Sequence, residues 1–248
     1  YREERARRRK ERARRSARPS EKIPWRKIWH VLDWAVAHGL NTVEKLNARI
    51  AQGEFPQIVR ETDRAYNEDI TTASEMIRER RDSLKMVIVA GPSSSGKTTT
   101  TVKLSHLLKK MGLSLVPLAV DNYFHSLELH PKDEFGDYDF ETPQALDLEL
   151  IDEHLRRLIA GEEVLIPFYD FKTGKRHDDR TPMQVGPDEV ILIDSLHGLY
   201  PDMTSSIDEE LKFKLYIEPL LQMKDLEGNY VRWTDLLLMR RMVRDAAF

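Results

Sequence analysis

The sequence predicts an α/β fold: a parallel sheet flanked by helices, preceded by a small helical segment. Three observations carry this. The apolar, β-branched run Met86 to Ala90 leads directly into Gly91-Pro-Ser-Ser-Ser-Gly96-Lys97-Thr98, which fits G-x-x-x-x-G-K-[ST] in full. Val102, Leu104, Leu107, Leu108 and Met111 follow as a helical apolar stripe. Two later apolar runs, Leu115 to Val120 and Glu189 to Ile193, alternate with helical patterns and each is followed by an acid, Asp121 and Asp194.

Taken in order, residues 1–20 form a basic tail or helix. Ten Arg and Lys residues, including Arg2, Arg5, Arg7, Arg8, Arg9 and Lys10, crowd there against Glu3, Glu4 and Glu11, although the net charge of the chain is −3. The ordinary reading is a solvated helix or disordered tail; contact with nucleic acid is the alternative. Residues 21–85 read as helical. Pro24 opens a first helix with Ile28, Val31, Leu32 and Ala35 on one face, and Gly39 ends it. Asn41 or Thr42 caps a second, with Val43, Leu46 and Ile50 in register. A third runs from about Pro56 toward Arg81 with Ile70, Ala73 and Ile77 on its stripe. Trp25, Trp29 and Trp34 are read as packing groups, and His30 and His38 lack the spaced partners of a metal site.

Residues 86–248 form the α/β domain, a P-loop NTPase-type sheet. A helix is expected from Pro143, with Leu146, Leu150, Leu158 and Ile159 apolar and Gly161 as its breaker. A strand follows over Lys212 to Ile217 and an Arg-rich helix over Trp233 to Asp245.

Composition bounds the chemistry. With 248 residues, 40% hydrophobic and 33% charged, the chain has room for one sizeable core and an appendage. It has no cysteine, which excludes disulfides, thiol catalysis and cysteine-ligated zinc and fits a reducing, cytoplasmic setting. No apolar run approaches the roughly 20 residues of a membrane helix, so no membrane partner is expected. The first residue is Tyr1, so the sequence is expected to be a fragment.

The loop itself points to a nucleoside triphosphate. Its glycines let successive N–H groups face one anion, and the following helix adds its positive end. Gly91, Ser93, Ser94, Ser95, Gly96, Lys97, Thr98 and Thr99 are therefore the candidate ATP-binding residues, with Lys97 on the β- and γ-phosphates. Thr98 is a candidate Mg²⁺ ligand, and of the two strand-end carboxylates, Asp121 and the Walker-B-like Asp194, one would hold the metal while the other would accept the proton of an attacking hydroxyl group.

Beyond the loop, Val120-Asp121-Asn122-Tyr123-Phe124, Tyr138-Asp139-Phe140 with Pro143 and Asp147, Ile166-Pro167-Phe168-Tyr169-Asp170-Phe171 and Arg240-Arg241-Met242-Val243-Arg244-Asp245 occur in the order of a known family. Residues 86 to 248 resemble the uridine kinase and phosphoribulokinase family, and with the helical prelude a bacterial group of uridine kinase-like proteins. The resemblance implies ATP- and Mg²⁺-dependent phosphorylation of the 5′-hydroxyl of a nucleoside, uridine or cytidine, with Asp121 as base. It implies acceptor contacts from Tyr123, Asp139, Tyr169, Phe171 and Arg176, and a lid helix whose Arg240, Arg241 and Arg244 close over the transferring phosphate.

The chain departs from the family pattern in several places. Gly174 stands where uridine kinases usually have a base-recognising histidine, and Asp194-Ser195 where Glu-Gly is usual. Leu196-His197-Gly198 resembles phosphoribulokinases, and Leu237 replaces a lid arginine. A segment over Gln222 to Trp233 is extra, and the expected last strand and helix are absent before Phe248. Two alternatives stay open. One is a phosphoribulokinase-type or other metabolite kinase, with Lys172, Lys175 and Arg176 receiving an anionic acceptor. The other is a regulatory or RNA-associated NTP-binding module. A homo-oligomer is compatible with each.

Overall fold

The computed structural model describes residues 24–247, so the basic tail expected over residues 1–20 lies outside the described residues. The chain divides into two compact units, one of residues 1–52 with 220–232 and one of residues 53–219 with 233–248.

In the larger unit, β1 (Met86–Ala90), β2 (Ser114–Leu118), β5 (Glu189–Ser195) and β6 (Lys212–Tyr216) form a parallel sheet in the order β2-β5-β1-β6. The run Met86 to Ala90 is buried throughout because it lies between two neighbours and is covered on both faces. Alternation decides which residue meets which layer. Met86, Ile88, Ile191 and Ile193 point into a cluster with Ile151, Leu155 and Leu158 of α5 (Leu148–Ile159). Val87, Val89, Val190, Leu192 and Phe213 meet Leu104 and Leu108 of α4 (Lys97–Lys110) and Ile77 of α3 (Phe55–Glu79). That second cluster ties α3 to the sheet, helped by Tyr66 Oη to Thr100 Oγ1 at 2.8 Å and Lys103 Nζ donating to Asn67 Oδ1 at 2.8 Å. The helical stretch read over residues 21–85 is thus divided, with α3 in the sheet's unit.

The smaller unit holds α1 (Trp25–Ala37) and α2 (Val43–Ala51). Gly39, at φ +62°, turns the chain out of α1, and the Leu40 amide closes on Ala35 O at 2.7 Å. The Thr42 hydroxyl caps α2 by accepting from the Lys45 amide at 3.2 Å.

Three local expectations need correction. Strand β2 ends at Leu118 rather than Val120, and Val120–Tyr123 is a 3₁₀ turn closed by the Asn122 amide on Ala119 O at 3.1 Å. Asp121 therefore projects from a turn beyond the strand. The helix expected from Pro143 starts at Leu148, because Leu146 is extended and bridges to Phe124. Asp147 caps it, accepting from the Leu150 amide at 3.2 Å. The third difference is an antiparallel ribbon of β3 (Val164–Asp170) and β4 (Lys175–Met183), which the sequence reading did not identify.

Candidate active site

The loop Gly91–Thr98 leaves β1 at the carboxyl edge of the sheet, where ligands of such folds bind. Parallel register brings the second acid to the same edge: Asp194 pairs with Val89 and Ser195 with Ala90. Two backbone features shape the loop. A Cβ on Gly91 would stand 2.0 Å from the carbonyl oxygen of Ile217, so the backbone just past β6 leaves no room for any other residue. Gly96 caps α4 at φ +105°, and Ser94 occupies φ +63° without being glycine. The hydroxyls of Ser94 and Ser95 are buried with no partner among the described residues. Buried polar atoms are normally satisfied, so this loop is built to receive a hydrogen-bonding ligand.

Two cavities meet at the loop, each with a volume of about 730 Å³, and Ser93, Lys97 and Thr98 line both. The first lies between Ser93, Ser94, Gly96 and Thr99 and the helix α6 (Trp233–Ala247), which contributes Leu236, Met239, Arg240, Val243 and Arg244. Arg240 Nε donates to Ser94 O at 2.8 Å. Arg244 pairs with Asp245 at 3.0 Å, and Arg241 reaches the same carboxylate at 3.7 Å without lining the cavity.

The second cavity contains Asp121, Asp194 and Glu141, the rings of Phe124, Phe140 and Phe171, and His197. Lys97 is its one Lys or Arg. Burial pushes the Lys97 ammonium down from its ordinary range, against the pull of Asp194 and Asp121. The Asp121 carboxyl is pushed up, first by desolvation and then by the like charge of Asp194, although its side chain stays open to the cavity. Asp194 is also raised by burial; Lys97 and the hydroxyls of Thr101 and Thr98 oppose the shift, with Thr101 Oγ1 donating to Asp194 Oδ2 at 3.3 Å. His197 is pushed down by burial and held by a hydrogen bond with the Phe140 backbone.

Thr98 and Asp194 supply hard oxygen donors beside the loop, the chemistry that suits Mg²⁺. Among the described residues no group of three or more His, Asp or Glu side chains forms a metal cage.

Of the residues expected at an acceptor site, Asp121 and Phe171 line this cavity. Tyr169 is 2% exposed, stacked edge-on against Phe171 with centroids 4.9 Å apart, and its hydroxyl has no partner among the described residues. Asp139 stands outside the lining and accepts the Glu141 amide at 3.0 Å, which fixes the backbone that presents Glu141. Tyr123 is in the core, bonded to His154 Nδ1 at 2.9 Å. Arg176 is held away by Asp147 and Asp178, each at 2.8 Å. Glu141, His197, Phe124 and Thr101 were not singled out as site residues. Glu141 lies two residues from Asp139 in the same motif, and only the fold decides which acid faces inward.

Gly174 has a local explanation. It closes the β3–β4 turn at φ +67°, and a Cβ there would lie 2.1 Å from Leu127 Cδ1. We expect Gly174→His to lower stability by about 1–3 kcal/mol through overpacking and left-handed strain. Adding Leu127→Ala should recover part of that loss. Thermal melts of the two variants check this; an unchanged Tm in Gly174→His would contradict it.

The profile of the Phosphoribulokinase / Uridine kinase family matches residues 86–247. The chain belongs to this family. It is 29% identical over 170 residues to the uridine kinase of Mycoplasma pneumoniae, covering 66% of this chain and 77% of that protein. It is 27% identical over 159 residues to uridine-cytidine kinase B of Dictyostelium discoideum, covering 64% of this chain and 57% of that one. A 29% identity over 139 residues links it to inorganic pyrophosphatase TTM2 of Arabidopsis thaliana, covering 56% of this chain and 19% of that protein. The chain therefore spans less than two thirds of two of these three relatives. In fold it is similar to a possible uridine kinase from Bacillus stearothermophilus, with TM-score 0.50, 22% identity, and coverage of 71% of this chain and 92% of that chain. No helix among the described residues is long and apolar enough to cross a membrane.

Proposed function

We propose that the chain is a kinase that moves the γ-phosphoryl group of ATP, with Mg²⁺, to a hydroxyl group of a nucleoside, most simply the 5′-hydroxyl of uridine or cytidine. The observation that carries this reading is the shared wall of the two cavities: Lys97 and Thr98 face a cleft roofed by arginines on one side and a chamber holding Asp121 on the other. The cleft suits a triphosphate, the chamber an acceptor. A hydrolase needs only room for water, whereas this chamber is wide and lined by aromatic rings.

In this reading Asp121 takes the proton from the acceptor hydroxyl as its oxygen attacks the γ-phosphorus, and the bond to the β-phosphate oxygen breaks to release ADP. Lys97 and the loop amides hold the phosphates, and Arg240 and Arg244 face the charge that spreads over the phosphoryl oxygens. Thr98 and Asp194 would hold Mg²⁺, which neutralises phosphate charge when bound. Glu141 and His197 are positioned for the acceptor's other hydroxyl groups, and Phe124, Phe140 and Phe171 for a flat ring.

The charge of the chamber favours a neutral acceptor. It carries Asp121, Glu141 and Asp194 against Lys97, while Arg176 is engaged with Asp147 and Asp178 and neither Lys172 nor Lys175 lines the wall. A sugar phosphate would meet repulsion with no spare cation. ADP release from Mg-ATP should therefore rise with uridine or cytidine and stay at background with ribulose 5-phosphate. Stimulation by the phosphorylated acceptor alone would overturn the assignment.

A further inference from the structure

Phe140 and Glu141 reach the acceptor chamber from a stretch that belongs to no helix or strand: between Lys132 and Pro143 the chain runs through turns and one isolated bridge, Lys132 to Tyr138. The turn that follows β5 holds this stretch at the sheet edge. Ser195, the last residue of β5, is 5% exposed, and its hydroxyl accepts the His197 amide at 3.2 Å. The Tyr200 amide then donates to His197 O at 2.8 Å. Gly198 lies so close to the sheet that a Cβ there would stand 2.8 Å from Ile88 Cγ2. The turn is therefore fixed, and it meets the stretch at two points. The His197 ring is hydrogen-bonded to the Phe140 backbone, and Gln144 Nε2 donates to Tyr200 Oη at 3.3 Å. The first of these bonds favours the protonated ring, so the ring N–H donates and the Phe140 carbonyl accepts.

We propose that Ser195 and His197 are positioning residues for the acceptor: Ser195 sets the turn, and His197 holds Phe140 and Glu141 in the chamber wall. The reasoning is entropic. The Phe140 ring rests on Phe124 and His130, but Glu141 is exposed, and no strand ladder fixes the backbone there. Only molecules with that backbone in place present Glu141 and Phe140 together, so apparent acceptor affinity scales with their fraction. The triphosphate loop is held separately, by β1 and α4, and does not share this dependence. The proposal also gives a purpose to Ser195 where Glu-Gly is usual, since glycine has no hydroxyl to accept the His197 amide. The nature of the acceptor rests on the kinase reading, but the bracing does not.

Four variants take the contact apart. His197→Ala removes the ring N–H. His197→Asn and His197→Gln each carry an amide N–H within reach of one of the two ring-nitrogen positions, so one of them should restore the bond. Ser195→Ala keeps the imidazole and removes only the hydroxyl that orients it. Hydrogen exchange of residues 139–145 in the empty protein, read by mass spectrometry with the loop 91–98 as internal reference, reports the bracing without any turnover. Steady-state kinetics with uridine and Mg-ATP report its consequence. A histidine that merely touched the acceptor would leave the exchange of the empty protein unchanged.

In His197→Ala the amides of residues 139–145 should exchange about tenfold faster while those of the loop stay as in the parent. The KM for uridine should rise about tenfold, with the KM for Mg-ATP unchanged. Ser195→Ala should move both readings the same way by a smaller factor, and His197→Asn or His197→Gln should return them toward the parent. Exchange in His197→Ala equal to the parent's would overturn the proposal, and so would a fall in kcat with the uridine KM unmoved. Two amide variants that both match alanine would overturn it as well. Failure of the kinase reading looks different: the exchange rates move as stated, while uridine stimulates no ADP release in the parent.

Discussion

Asp121→Asn should reduce kcat by about 10²–10⁴, the range expected for losing a general base, while the affinity for Mg-ATP changes little. The amide keeps the shape and the hydrogen-bonding oxygen of the side chain but cannot accept the proton. Stability should move the other way. Desolvation and Asp194 raise the Asp121 carboxyl in the folded state above its ordinary value of about 3.9, so folding favours its protonated form. The site costs no stability at low pH, where it is protonated in folded and unfolded chains alike. It becomes increasingly destabilising as pH rises from the ordinary value through the raised one. The Asn variant should therefore melt at the same or higher temperature than the parent at pH 7, with the gain vanishing in acid. In the parent, the acid limb of kcat/KM should lie above the ordinary aspartate range. Melting curves and a pH–rate profile check both; retained turnover in Asp121→Asn would remove this residue from the mechanism.

Gly91→Ala should disrupt the loop badly, although it adds a single methyl group. The added Cβ would overlap the Ile217 carbonyl at 2.0 Å and crowd Ser95 Oγ at 3.0 Å. Backbone on that side cannot swing away, because the Ile217 amide is itself bonded to Ala90 O at 2.7 Å. The loop must therefore shift away from Ile217. A shift of about 1 Å in a phosphate cradle costs on the order of a hundredfold in rate, and overpacking adds about 1–3 kcal/mol of instability. Calorimetric titration with Mg-ATP and a thermal melt measure the two effects. Normal ATP affinity in this variant would contradict the loop geometry described here.

Much of this site was legible in the sequence because its parts are local. Strand, glycine loop and helix occur consecutively from Met86 to Met111, so period and spacing alone predicted them. Asp194 was legible for a similar reason, since a buried apolar run must end at the sheet edge. The acceptor chamber was less so. Whether Asp139 or Glu141 faces inward depends on how the segment after Lys132 folds back on Pro131, with the Asp139 amide bonded to Pro131 O at 3.0 Å. Arg176 looked available as a cation, and only tertiary contacts give it to Asp147 and Asp178. The β3–β4 ribbon escaped because β4 reads Lys-Arg-His-Asp-Asp-Arg-Thr-Pro-Met, a charged, edge-like strand without apolar alternation. Residues 223–231 fold as a hairpin that was seen only as an extra segment, because its partners, Asn41 and Val43, lie about 180 residues earlier in the chain.

The most direct test is to identify the product. The 248-residue chain is incubated with Mg-ATP and uridine, and the mixture is resolved by mass spectrometry and ³¹P NMR. A uridine 5′-phosphate signal that grows in step with ADP and disappears in Asp121→Asn is the predicted result. ADP formed together with inorganic phosphate at the same rate with and without nucleoside would contradict the account and make the chain a hydrolase or nucleotide switch.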